Sequence, residues 1–139
     1  MKNIFYHPIS KKLDHPGDRR RFYGFAKKKK LKLNFERNES YSNSLLVLSQ
    51  NADLSIIANK KYKNSKIIFD FCDGYLNEKL STKKLLRGVY KYISGKNKYL
   101  YFSYTNLLKK ICKMADAVVC ASNAQKKAIE KYNKNVFVI

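Results

Sequence analysis

Cysteine is scarce and unpaired in this chain of 139 residues. Cys72, Cys112 and Cys120 are odd in number, far apart and form no C-x-x-C pair, so neither a disulfide framework nor a zinc site is indicated, and a reducing cytoplasm fits. Long hydrophobic runs are missing too. "LLVL" and "AVVCA" fall far short of the roughly 18 to 20 apolar residues that a membrane-spanning helix requires. "MKNIFYHPIS", whose apolar run breaks at His7-Pro8, is too short to serve as the core of a signal peptide. The signatures G-x-G-x-x-G, G-x-x-x-x-G-K-[ST] and G-x-S-x-G are absent, which removes the common nucleotide-binding and hydrolase motifs. No cofactor and no metal is expected. His7 and His15 have no Cys or carboxylate at metal-ligand spacing and receive no catalytic role. No internal repeat or disordered linker interrupts the chain, and residues 1–139 suit one domain.

Acidic residues are few: ten Asp and Glu against thirty Lys and Arg give a formal charge of +20. Such a balance invites a polyanion, whether nucleic acid, an anionic membrane surface or a phosphorylated substrate. Lysines scattered among many Asn, Ile and Tyr are also what AT-rich coding supplies without selection for binding. No helix-turn-helix, zinc finger or single-strand-binding signature accompanies the charge. Tyr and Phe between Tyr90 and Tyr104 could imitate a base-stacking platform, but helical spacing explains them more simply.

Six short apolar runs are strand candidates: Asn3 to Tyr6, Leu31 to Phe35, Leu45 to Leu48, Lys66 to Phe71, Ala117 to Cys120 and Val136 to Ile139. Helical spacing fills most of the intervals. Asp53 caps one helix, with Leu54 and Ile57 turned inward. Ser81 caps a second, whose Leu85, Leu86, Val89, Tyr92 and Ile93 form one apolar stripe before Gly95 ends it. A third runs from Leu100 to Ala115, and Ser122 to Gln125 is a capping box opening a fourth, which Asn133 closes in a left-handed conformation. Strands alternating with helices predict an α/β fold, a doubly wound and mostly parallel sheet of about six strands. One connection is short, because "ERNESYSNS" offers nine residues where a parallel crossover normally takes about a dozen. Val136 to Ile139, apolar throughout, reads as a strand buried on both faces, and a chain ending there looks like half of a larger enzyme.

Two stretches hold candidate chemistry. In "DHPGDRRRFYGFAKKKK", Pro16, Gly17 and Asp18 read as a turn and N-cap, which places Arg19, Arg20 and Arg21 in the first helical turn. Cations there oppose the helix dipole, a conflict that a bound phosphate or carboxylate would remove. Pairing of one arginine with Asp14 or Asp18 is the plainer explanation. In "IIFDFCDGYL", Asp70 and Asp73 stand at the end of an apolar strand. They serve either sugar hydroxyls or a basic partner at the sheet edge; alternatively Asp70 makes a structural ion pair and Asp73-Gly74 a turn. Gln50 and Ser122, just past the third and fifth strands, would share that edge.

The order of these pieces resembles the N-terminal domain of a GT-B glycosyltransferase. "GDRRRFYGFAKKKKLKLNF" resembles the first loop, helix and second strand of that domain, and "LLVLSQNADLS" with "KIIFDFCDGYL" its third and fourth strands with their polar tips. "ADAVVCASNAQKKAIEKYNKNVFVI" resembles the segment before the crossing to the second domain. The resemblance covers nearly the whole chain. It implies an acceptor-side half that is inactive alone, with Arg19, Arg20, Arg21, Gln50, Asp70, Asp73 and Ser122 at the rim of the crevice. A nucleotide-sugar donor would be held by an absent second domain or subunit, and a cell-envelope glycan or glycolipid would be the acceptor. A cytoplasmic location, or a peripheral one on the inner membrane face, goes with this reading. The competing expectation is a noncatalytic basic module for nucleic acid or an anionic membrane. Lysines pooled on one face would favour the module, and lysines ringing the molecule the transferase half.

Overall fold

The computed structural model describes residues 3–10, 12–36, 41–50, 52–59, 62, 64–72, 76 and 82–139, without the side chains of 82–85 and 87. Its elements run β1 (Asn3–His7), α1 (Pro16–Arg20), α2 (Phe22–Lys28), β2 (Leu33–Asn34), β3 (Ser44–Ser49), α3 (Leu54–Ala58), β4 (Lys66–Phe71), α4 (Thr82–Ile93), α5 (Tyr104–Met114), β5 (Ala117–Cys120), α6 (Asn123–Ile129) and β6 (Val136–Val138). The strands form one sheet in the order β2-β1-β3-β4-β5-β6, with every neighbouring pair parallel. This is a Rossmann-like α/β fold. The short connection from β2 passes beyond β1 to reach β3, and its residues 37–40 lie outside the described set.

Because side chains alternate along a strand, the register sorts the sheet into two faces. Phe5, Leu46 and Ile67 are aligned on one face, and so are His7, Leu48, Phe69, Val118 and Val136. With Leu54 and Ile57 of α3, Leu107, Leu108 and Ile111 of α5, and Ile129 of α6, these residues (His7 apart) make the main hydrophobic core. Burial of Cys112 within it pushes its thiol up to about 12. The opposite face carries Tyr6, Val47, Ile68 and, one row on, Asp70 with Val119. There α2 lays Phe22 and Tyr23 against Tyr6.

Several local readings hold. Asp53 caps α3 by accepting from the Ser55 amide at 3.1 Å, Gly95 has φ +68° just past α4, and Ser122 accepts from the Gln125 amide at 3.3 Å. Others change. The cap of α1 is His15, whose ring accepts from the Gly17 amide at 3.0 Å with Pro16 at the first helical position, so Asp18 sits inside the helix and not before it. Gln125 reaches the Ala121 amide at 2.8 Å and not that of Ser122. Asn133 does not adopt positive φ; its Nδ2 instead donates to the Cys112 and Ala115 carbonyls at 2.8 and 2.6 Å. Leu100 lies ahead of α5, which starts after the Ser103 cap. Ser81 and Asp73 lie outside the described residues.

Two apolar stretches are less covered than their sequence suggests. Val136 is buried, but Phe137, Val138 and Ile139 are exposed, because β6 is the edge of the sheet and α1 and α2 cover only its far end. On α4, Leu86, Tyr92 and Ile93 are exposed in spite of their amphipathic spacing.

Candidate functional site

The strand order reverses between β1 and β3, which sends the connections that leave the carboxyl ends of these strands in opposite directions, the place where open α/β sheets bind ligands. The loop after β1 closes on Asp18. That carboxylate, fully buried, accepts the Tyr6 hydroxyl at 2.5 Å and the Ile9 and Ser10 amides at 2.9 and 3.0 Å. Burial, joined by the hydrogen bond to Asp18 and its negative charge, pushes the Tyr6 phenol far above its ordinary range. The chain thus fills its own amide cradle with a carboxylate.

The next two tips are joined through Cys72. Gln50 Oε1 accepts from the Cys72 amide at 2.9 Å, and Gln125 Nε2 donates to the Cys72 carbonyl at 2.9 Å. Tyr104 donates to the Gln50 carbonyl at 2.8 Å, and Ser49 Oγ to the His7 carbonyl at 2.7 Å. Gln50 is therefore buried in a bracket between β3 and β4, while Ser122 is exposed as the cap of α6.

Asp70 meets Arg21, which lies in the break between α1 and α2. Arg21 Nε donates to Asp70 Oδ1 at 2.6 Å, and Nη2 makes an ion pair with the same oxygen. Nη2 is buried yet has no hydrogen bond of good geometry. Burial opposes the charge on Arg21, but the Asp70 hydrogen bond and charge outweigh it and raise the guanidinium above its ordinary value. The Cys72 thiol lies 3.9 Å from Asp70 Oδ1.

Around this pair opens a groove of about 380 Å³, lined by Arg20, Arg21, Phe22, Phe25, Val47, Ile68, Asp70, Val119 and Ile139. Its cause is uneven cover. Across the face, Tyr6 and Val47 are buried under α1 and α2, Ile68 and Val119 are half-buried, and Phe137 is 57 % exposed. A larger hollow of about 730 Å³ lies by Asn3, Ile4 and Lys32 to Glu36 at the β2 edge, where no set of buried polar groups converges among the described residues.

The structure brings together Arg20, Arg21 and Asp70, with Gln50 one bracket away. Arg19 and Ser122 do not line the groove. Arg19 and Arg20 occupy the last turn of α1, where cations suit the helix dipole, so the expected conflict does not arise. Sequence reasoning missed Phe22 and Phe25 as groove walls and Gln125 as a bracket. Their positions follow from where α2 and α6 dock, although the aromatic cluster beside the arginines was a visible signal. Among the described residues, no group of three His, Cys, Asp or Glu could hold a metal ion. Lysines occupy both layers, with Lys27 and Lys28 on α2, Lys109, Lys110 and Lys113 on α5, and Lys126 and Lys127 on α6.

Compared with protein-family models, curated proteins and solved structures, the chain finds no match.

Proposed function

We propose that this chain is the acceptor-side half of a sugar transferase of the GT-B kind, which passes a sugar from a nucleotide-sugar donor to a cell-envelope glycan or glycolipid. The observation that carries the reading is the groove over the uncovered sheet face beside Asp70, where aromatic walls and an ion pair occur together. Phe22 and Phe25 offer flat apolar surface for the C–H face of a sugar ring, and Asp70 and Arg21 offer an acceptor and donors for its hydroxyls. Among the described residues, every contact made to the Asp70 carboxylate falls on Oδ1, and Nη2 of Arg21 has no well-aligned acceptor. These residues bind and orient an acceptor. The donor belongs to a second α/β domain or subunit, which also completes the catalytic machinery. Lysines spread over both layers support this reading over a noncatalytic nucleic-acid module, which would gather them on one surface.

Amide chemical shifts of the chain, followed during titration with short hexose and N-acetylhexosamine oligosaccharides and with UDP-glucose, test the proposal. Glycans should move residues 21–25 and 70–72, and UDP-glucose should not. Saturable micromolar binding of UDP-glucose, about −8 kcal/mol, would reverse the assignment to the donor side. Tight duplex DNA binding at physiological salt, with no glycan response, would replace it by the basic module.

A further inference from the structure

Helix α4 is docked by the wrong side for a core helix. At Gly88 a Cβ would lie 1.9 Å from the Tyr101 carbonyl oxygen and 3.0 Å from that of Phe102, so the helix backbone rests directly on the loop before α5. On the same side Lys91 Nζ sits 4.0 Å from the centre of the Tyr104 ring. With Gly88 turned inward, the helical repeat turns Leu86, Tyr90 and Ile93, at i, i+4 and i+7, outward. Their exposures are 66 %, 64 % and 77 %. The clasping loop adds exposed Leu100 and Phe102.

We propose that this outward stripe of α4 seats in the interface of an anionic lipid bilayer. Charge names the occupant. From Thr82 to Ser103 the chain has no Asp or Glu, and besides the inward Lys91 it has Lys83, Lys84, Arg87, Lys96 and Lys98. A helix with an apolar stripe, aromatic residues and an all-basic polar complement lies in the plane of a membrane, where apolar burial and attraction to acidic headgroups act together. A second copy of this chain would meet the same positive charge, +20 on each molecule, and a nucleic acid would leave Leu86 and Ile93 unused. No helix among the described residues is long and apolar enough to cross a membrane, so the contact is peripheral. The inference stands independently of the transferase reading, since α4 lies on the layer opposite the groove.

Cosedimentation of the whole chain with phosphatidylcholine vesicles, with and without phosphatidylglycerol, tests it. Binding should require phosphatidylglycerol, and Leu86→Ser and Ile93→Ser should each weaken it by about tenfold, the loss expected for one large apolar side chain. Both positions are exposed, so the melting transition should not move. Because the chain has no tryptophan, Tyr90→Trp gives a single reporter whose emission should shift blue on vesicle addition. Lys27→Gln with Lys28→Gln, on the other layer, should weaken binding less than either apolar change. Failure to bind phosphatidylglycerol vesicles would overturn the proposal. So would binding that survives the Leu86 and Ile93 changes, or a self-association that those changes abolish.

Discussion

Asp18 accepts the Tyr6 hydroxyl at 2.5 Å while its two oxygens also hold the Ile9 and Ser10 amides. One buried carboxylate thereby ties the end of β1, the following loop and α1 into a single unit. Lying in the first turn of α1, it also meets the favourable end of that helix's dipole.

Removing this carboxylate strands three donors. Asp18→Ala is expected to cost about 3 kcal/mol or more in denaturant titrations, because each buried donor left unmet costs roughly 1 to 3 kcal/mol. Tyr6→Phe removes one donor and leaves Asp18 two amides, so about 1 to 2 kcal/mol is expected. Equal losses for the two variants would show that the amides contribute nothing.

Arg20 and Arg21 should separate sharply. Arg21→Gln leaves Asp70 without its counter-ion, with only 6 % of that side chain exposed, and is expected to cost about 3 kcal/mol. Replacing both partners, Arg21→Met with Asp70→Leu, should recover most of that loss. Arg20→Glu places a negative charge in the last turn of α1 and should destabilise by about 0.3 to 1 kcal/mol, where a first-turn position would have gained as much. A stabilised Arg20→Glu protein would restore the first-turn reading.

Sequence made visible whatever depends on near neighbours. Asp53 and Ser122 cap their helices as their spacing says, and the apolar runs became strands, although β2 shrank to Leu33–Asn34. Capping failed at α1, where Asp18 reads as the N-cap but His15 caps the helix, Asp18 being taken up by the Tyr6 hydroxyl and the Ile9 and Ser10 amides. That Asp70 needed a partner was legible from burying a carboxylate. Its partner was not, since Arg21 stands 49 residues away. Periodicity also grouped Leu86 and Ile93 on one side of α4 without saying whether anything would cover that side. The groove has the same origin, because apolar character in Ile68, Val119 and Phe137 says nothing of how far α2 reaches.

Asp116 should give the fold an acid-sensitive joint. It accepts the Ile67 amide at 2.9 Å and Lys66 Nζ at 2.7 Å, linking the starts of β4 and β5. Burial raises its carboxyl, but the Lys66 ammonium and the Ile67 amide outweigh this and hold it below the ordinary value. A carboxyl depressed in the folded state stabilises above its unfolded pKa, about 3.9, and that contribution is lost as pH falls further. The effect should be small, because solvent screens the half-exposed ion pair. Wild type should therefore exceed Asp116→Asn in melting temperature at neutral pH, with the gap closing below about pH 4. A gap unchanged through acidification would assign the effect to the neutral hydrogen bond alone.

Gly88 sets two effects of opposite sign against each other. In an exposed helix, alanine in place of glycine gains up to about 1 kcal/mol. At this position the new methyl would stand 1.9 Å from a backbone oxygen of Tyr101, and a backbone cannot swing aside as a side chain can. The loop is itself fastened to α3, since the Lys98 amide donates to Asp53 at 2.9 Å and the Tyr99 amide to Ser55 Oγ at 3.1 Å. Either α4 lifts off or those bonds lengthen, and overpacking of this kind costs about 1 to 3 kcal/mol. Gly88→Ala should thus be net destabilising in denaturant titrations, with faster amide exchange at Lys98 and Tyr99. Gly95→Ala is the comparison: nothing lies within 4 Å of its Cβ position, but φ is +68°, so it should cost about 1 kcal/mol from backbone strain without touching exchange in the loop. A Gly88→Ala protein as stable as wild type would mean that α4 does not rest on Tyr101, and the outward stripe of Leu86, Tyr90 and Ile93 would lose the contact that fixes its direction.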